Sequence, residues 1–93
     1  MLSQLRSASY LLEVEWFEID EDNPMLGKSI QELRLRSRTG VSVVGVLKSG
    51  ELLPNPGPDY RFAQGDIVAV IGKNEHKRAF VRQMGLHAPN WKN

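Results

Sequence analysis

The segment Gln64-Gly65-Asp66-Ile67-Val68-Ala69-Val70-Ile71-Gly72 decides the fold class of this chain. Glycine followed by aspartate is a turn signal, and the apolar, mostly β-branched run after it predicts a buried strand. Gly72 ends that strand where a side chain would not fit. Asn74 then has the side chain of a helix cap, and Glu75–Met84 carries Ala79, Phe80 and Met84 at helical spacing before Gly85 stops the helix. A buried strand running straight into an amphipathic helix calls for a sheet packed against helices.

Reading outward toward the N-terminus, Tyr60–Phe62 is a short strand candidate. Pro54-Asn55-Pro56-Gly57-Pro58 breaks regular pairing, because each proline lacks an amide donor. Val41–Leu47 is a second β-branched run with weak alternation, which predicts a strand buried on both faces. Ser49-Gly50 joins it to Glu51–Leu53 as a hairpin. Ser29 and Glu32 have capping-box spacing, so a short helix starts there with Ile30 and Leu33 facing the core, and left-handed Gly40 closes the turn that follows. Tyr10–Ile19 alternates as a first strand, with Leu12, Val14 and Trp16 on the inner face and Glu13, Glu15 and Phe17 opposite. Trp16 is therefore expected in the core. Asp20-Glu21-Asp22-Asn23-Pro24 is a turn. The fold class that results is α+β: a small β-sheet packed with two helices, in the order strand, helix, hairpin, strand, helix. Residues 10–85 make the domain, residues 1–9 a lead-in and residues 86–93 a tail.

Composition limits the function. Twelve Lys and Arg stand against eleven Asp and Glu, a balance that argues against a dedicated nucleic-acid binder. There is no cysteine, so disulfides and thiolate metal sites are excluded. No apolar run approaches the roughly 20 residues that cross a bilayer. His76 and His87 have no second ligand at metal spacing, and Glu18, Asp20, Glu21 and Asp22 read as a solvated acidic turn. No nucleophile–base set stands at a recognised spacing, so the chain is read as no enzyme.

Three segments carry a resemblance: Pro24-Met25-Leu26-Gly27-Lys28-Ser29-Ile30-Gln31-Glu32-Leu33, then Arg38-Thr39-Gly40-Val41-Ser42-Val43-Val44-Gly45-Val46, then the proline loop with Gly65-Asp66 and its strand. In this order and spacing they resemble the RCK-C (TrkA C-terminal) domain family, over about Tyr10 to Met84. The resemblance implies a regulatory module of a potassium channel, potassium uptake system or cation–proton antiporter, cytoplasmic at the inner face of the membrane. It implies a homodimer, a membrane cation transporter or channel as partner, and cyclic di-AMP as a regulatory ligand; with the balanced charge, no nucleic-acid partner is expected, and no cofactor. Effector domain of a transcription regulator and purely structural dimerisation module are the alternatives. No Gly-x-Gly-x-x-Gly stretch accompanies these segments.

The residues themselves leave two readings open. Arg34, Arg36 and Arg38 are solvated arginines beside a short helix, or contacts for a phosphate, to which a guanidinium makes paired hydrogen bonds. By the resemblance Arg38 is the anion contact, although Gly40 stands where the family carries asparagine. Val41 and Val43 fill the core, or offer apolar contact to an adenine face. Pro56 shapes its loop, or lies under a base. The candidate ligand-binding set is therefore Arg36, Arg38, Gly40, Val41, Val43 and Pro56.

Overall fold

The computed structural model describes residues 13–86. The elements are β1 (Glu15–Glu18), α1 (Ile30–Leu33), α2 (Leu35–Thr39), β2 (Ser42–Lys48), β3 (Glu51–Pro54), β4 (Ile67–Ile71) and α3 (Asn74–Met84). The four strands form one antiparallel sheet in the order β1-β4-β2-β3. The α+β class read from the sequence is the observed one. The QGDIVAVIG strand is inside the sheet, with Val68 and Val70 fully buried, and Gly65 turns into it with φ 87°.

Register sorts the side chains onto two faces. Phe17 pairs with Val68, and Val68 with Val46, so these three share one face. Phe80, Met84, Leu33 and Leu35 of the helices belong to the same buried cluster as those three, and the Phe17 and Phe80 rings meet edge to face at 5.6 Å. The opposite face carries Trp16, Ala69, Ile67, Leu47 and Leu52. The first strand is thus inverted relative to expectation. Phe17 and Ile19 point inward, whereas Val14 is 40% exposed and Trp16 only half-buried. Both faces of this strand carry large apolar residues, so alternation alone could not say which is inner. The deciding partner is Lys77 of α3, buried, whose Nζ reaches Glu15 Oε1 at 3.0 Å and holds the odd-numbered face against the helix. The expected strand residues 10–12, like His87, lie outside the described residues.

Other expectations need smaller corrections. Val41–Leu47 is not covered on both faces: of the strand residues Ser42–Lys48 only Gly45 and Val46 are buried, because the helices pack on one side. Tyr60–Phe62 contributes a single bridge, Ser29 with Arg61, since the preceding prolines leave no room for a ladder. Lys73, with no side-chain cap, takes the position expected for Asn74, which is the first helical residue. The capping box at Ser29 and Glu32 is present in both directions, at 3.0 and 3.1 Å. Asn23 turns the acidic loop into a fastener. Its Nδ2 donates to the Met84 carbonyl and its Oδ1 accepts from the Met25 amide, both at 2.8 Å.

Candidate functional site

A helix begun at the capping box does not continue. Arg34 adopts the left-handed conformation, φ 49° and ψ 46°, and α2 restarts in a new direction. That bend buries Leu35 while leaving Arg34 and Arg36 exposed. Between the helix pair and the start of β2 it opens a cleft of about 610 Å³. Ile30, Leu35, Val41 and Val43 supply apolar wall, while Gln31, Arg34, Arg36, Ser37 and Ser42 line the rest. Arg36 Nη2 donates to Ser42 Oγ at 3.3 Å, which steadies the guanidinium beside the apolar wall. Chemically this arrangement suits an anion joined to a flat apolar group: the guanidinium forks onto oxygens, and half-buried Ile30 and Val43 offer a ring face, while Val41, fully buried, backs them from the core.

The sequence-predicted set divides. Arg36, Val41 and Val43 meet in this cleft. Arg38 does not: its Nη1 donates to the Leu33 carbonyl at 3.5 Å, and it lines a separate cleft with Pro24, Lys28, Glu32 and Gln83. Gly40 closes α2 at φ 91°, and a Cβ there would stand 2.5 Å from His76 Cγ. Its lack of a side chain serves the packing of His76. Pro56, half-buried, sits in the loop after β3 and not in the cleft lining. Sequence reasoning missed Ile30, Gln31, Leu35 and Ser42 as lining. The capping box gave the helix start, but no glycine marks Arg34, so the bend that turns these residues together had no signal.

A second cluster was read only as a turn. Asp66 is 1% exposed. Its carboxylate accepts from Tyr60 Oη at 2.6 Å, from the Ala63 amide at 2.9 Å and from Lys48 Nζ at 3.0 Å. These bonds join the end of β2, the proline-rich loop and the start of β4. The Tyr60 hydroxyl is pushed above its ordinary 10.0 by burial and then by the Asp66 bond, and the Lys48 ammonium is raised above 10.5 chiefly by its hydrogen bond to Asp66. Both groups hold protons longer folded than unfolded, so stability is complete at neutral pH and falls as pH rises through the raised values. Denaturant unfolding is expected to give a level free energy across neutral pH and a decline above about pH 10, with Tyr60→Phe reducing the decline. A profile that is the same in wild type and variant would contradict this assignment.

Among the described residues no group of three or more His, Asp or Glu is placed to hold a metal ion, and no helix is long and apolar enough to cross a membrane.

The model of the TrkA-C domain matches residues 14–85. The chain belongs to the TrkA-C domain family. The ammonium/H(+) antiporter subunit AmhM of Alkalihalophilus pseudofirmus is 33% identical over 67 residues, covering 72% of this chain and 40% of that protein. The K(+)/H(+) antiporter subunit KhtT of Bacillus subtilis is 27% identical over 81 residues, covering 86% and 49%. The chain thus spans less than half the length of these relatives. Among solved structures, the RCK_C domain dimer of S. agalactiae BusR in complex with c-di-AMP is 29% identical with TM-score 0.71, covering 77% of this chain and 89% of that one. S. agalactiae BusR in complex with its busA-promotor DNA is 26% identical with TM-score 0.73, covering 87% and 46%. This last likeness overturns one expectation. Balanced charge argued against a nucleic-acid partner, yet a TrkA-C relative of this similarity is found in a promoter complex. The charge of one domain says nothing about what a longer protein containing it grips.

Proposed function

We propose that this TrkA-C domain is a non-enzymatic regulatory module of a potassium or other cation transport system, acting at the cytoplasmic face of the membrane. Two copies close on a small anionic ligand of the cyclic di-AMP kind. The observation that carries this reading is the cleft in which Arg36, tied to Ser42, stands beside Val41, Val43 and Ile30. It offers a phosphate contact next to an apolar wall and holds no carboxylate or imidazole to perform chemistry. A 29%-identical domain that binds c-di-AMP as a dimer, and two antiporter subunits among the relatives, support the same reading.

A two-fold symmetric ligand suits a two-fold pair, because each half of it meets the same residues. Such a ligand shifts the arrangement of the two copies only by its difference in affinity between arrangements. Melting tests this directly. Cyclic di-AMP at about 100 times its dissociation constant stabilises the folded form by roughly 2.7 kcal/mol. For a domain of this size that is a rise of roughly 10 °C or more. ATP, NAD and divalent cations are expected to leave the melting temperature unchanged. No rise with cyclic di-AMP at millimolar concentration would overturn the ligand assignment.

A further inference from the structure

We propose that Tyr60 is a positioning residue for the cleft: its hydroxyl, anchored on Asp66, fixes the wall formed by Ile30 and Gln31 without lying in the cleft lining itself. The inference rests on the reading that this cleft holds the ligand, and it names what sets the place of one wall. α1 is a single turn, four residues long. So short a helix has too few internal bonds to hold its own shape in water. Its capping box satisfies the amides of Ser29 and Glu32. The amides of Ile30 and Gln31 are satisfied from outside, by the carbonyl of Tyr60 at 3.0 Å and that of Pro58 at 2.9 Å. Ile30 and Gln31 are the two residues that α1 brings to the cleft lining. The Gly27 amide on the Phe62 carbonyl and the Phe62 amide on the Lys28 carbonyl continue the same seam. The segment around Tyr60 therefore carries one wall of the cleft.

The two walls are tied to the same strand by different means. Ser42 pairs with Ile71 and Val43 with Val70, so the β2 wall is fixed on β4 by the sheet itself. The α1 wall is joined to β4 through Tyr60, whose Oη donates to Asp66 Oδ2 at 2.6 Å just before that strand begins. Asp66 cannot follow a moving loop. Its carbonyl accepts from the Ile19 amide at 2.9 Å and its amide donates to the Ala63 carbonyl at 3.1 Å. The Tyr60 ring also rests edge-on against Phe62, with centroids 5.5 Å apart. Tyr60→Phe therefore keeps the ring seated and cuts one bond. Leu33, buried in the core, still holds the far end of α1, so the loosening falls on Ile30 and Gln31. A ligand must then order a wall that wild type holds ready, and that ordering is taken from its affinity.

Binding of cyclic di-AMP and amide hydrogen exchange test this on the full-length chain, at a temperature where every variant stays folded. Tyr60→Phe is expected to bind about tenfold more weakly than wild type. It should also speed exchange of the Ile30 and Gln31 amides at least about threefold more than that of the α3 amides. Asp66→Asn is the conservative rescue: the Ala63 amide keeps the remaining oxygen at the Oδ2 place, where it still accepts from Tyr60. Its affinity should stay within about threefold of wild type. Phe17→Leu thins the core between β1 and α3, away from this loop, and should lower the melting temperature with affinity again within about threefold. Tyr60→Phe binding as tightly as wild type, or exchange rising equally in α1 and α3, would overturn the proposal and leave the ligand reading standing. So would a Phe17→Leu loss of affinity equal to that of Tyr60→Phe, since general destabilisation would then account for both. Wild type that binds no cyclic di-AMP rejects the ligand reading instead, and faster exchange confined to Ile30 and Gln31 would still support Tyr60 as the residue that sets this wall.

Discussion

Replacing Asp66 with alanine is expected to lower the unfolding free energy by about 3 kcal/mol, the cost of leaving buried donors without an acceptor. Three donors converge on this carboxylate, but they do not count equally. The Lys48 side chain is 47% exposed, so its ion pair contributes little. The Ala63 amide and the Tyr60 hydroxyl, bonded at 2.9 and 2.6 Å, carry most of the loss. In melting this corresponds to a fall of roughly 12 °C or more for a domain of this size. Asp66→Asn keeps the shape and one acceptor oxygen, so it should lose less than alanine, and Lys48→Gln should lose least. A ranking in which Lys48→Gln costs as much as Asp66→Ala would assign the cluster to the ion pair and contradict the account.

Arg36→Ala is expected to have the largest effect on ligand affinity. A hydrogen bond to a charged group is worth about 1.5–3 kcal/mol, or about tenfold to 100-fold. Across a two-fold pair one ligand meets Arg36 twice, so a single substitution removes two such contacts and the expected loss is at least about 100-fold. Arg38→Ala is the control. Its guanidinium leans on the Leu33 carbonyl and faces a different cleft, so its loss should change affinity by less than about threefold. Ser42→Ala should fall between the two, since Ser42 steadies Arg36 at 3.3 Å. Equilibrium binding of cyclic di-AMP to the three variants decides the order, and an Arg38→Ala defect larger than that of Arg36→Ala would move the anion contact to the other cleft.

Much of the fold was legible because local signals were strong and agreed with one another. The capping box of Ser29 and Glu32, the left-handed Gly40 and Gly85, the Ser49-Gly50 hairpin and the IVAVI strand all stand where the residues place them. What failed had its cause elsewhere in the chain. The inner face of β1 is fixed by Lys77, more than 60 residues away, whose Nζ also approaches the Glu13 carbonyl. Asp66 reads locally as a turn residue, and its three partners come from β2, from the loop and from Tyr60. The cleft was half legible. Arg36, Val41 and Val43 were named from the sequence and meet there, but the resemblance pointed to Arg38 as the anion contact, and Arg38 lines a different cleft because the chain bends at Arg34, where no glycine announces it.

The claim on which the functional account turns is that one ligand is shared by two copies. Titration calorimetry of wild-type chain with cyclic di-AMP measures this as a stoichiometry. The account predicts about half a ligand per chain, with the mass in light scattering doubling as the titration completes. A stoichiometry of one ligand per chain on a protein that stays monomeric, or no binding at all, would contradict it.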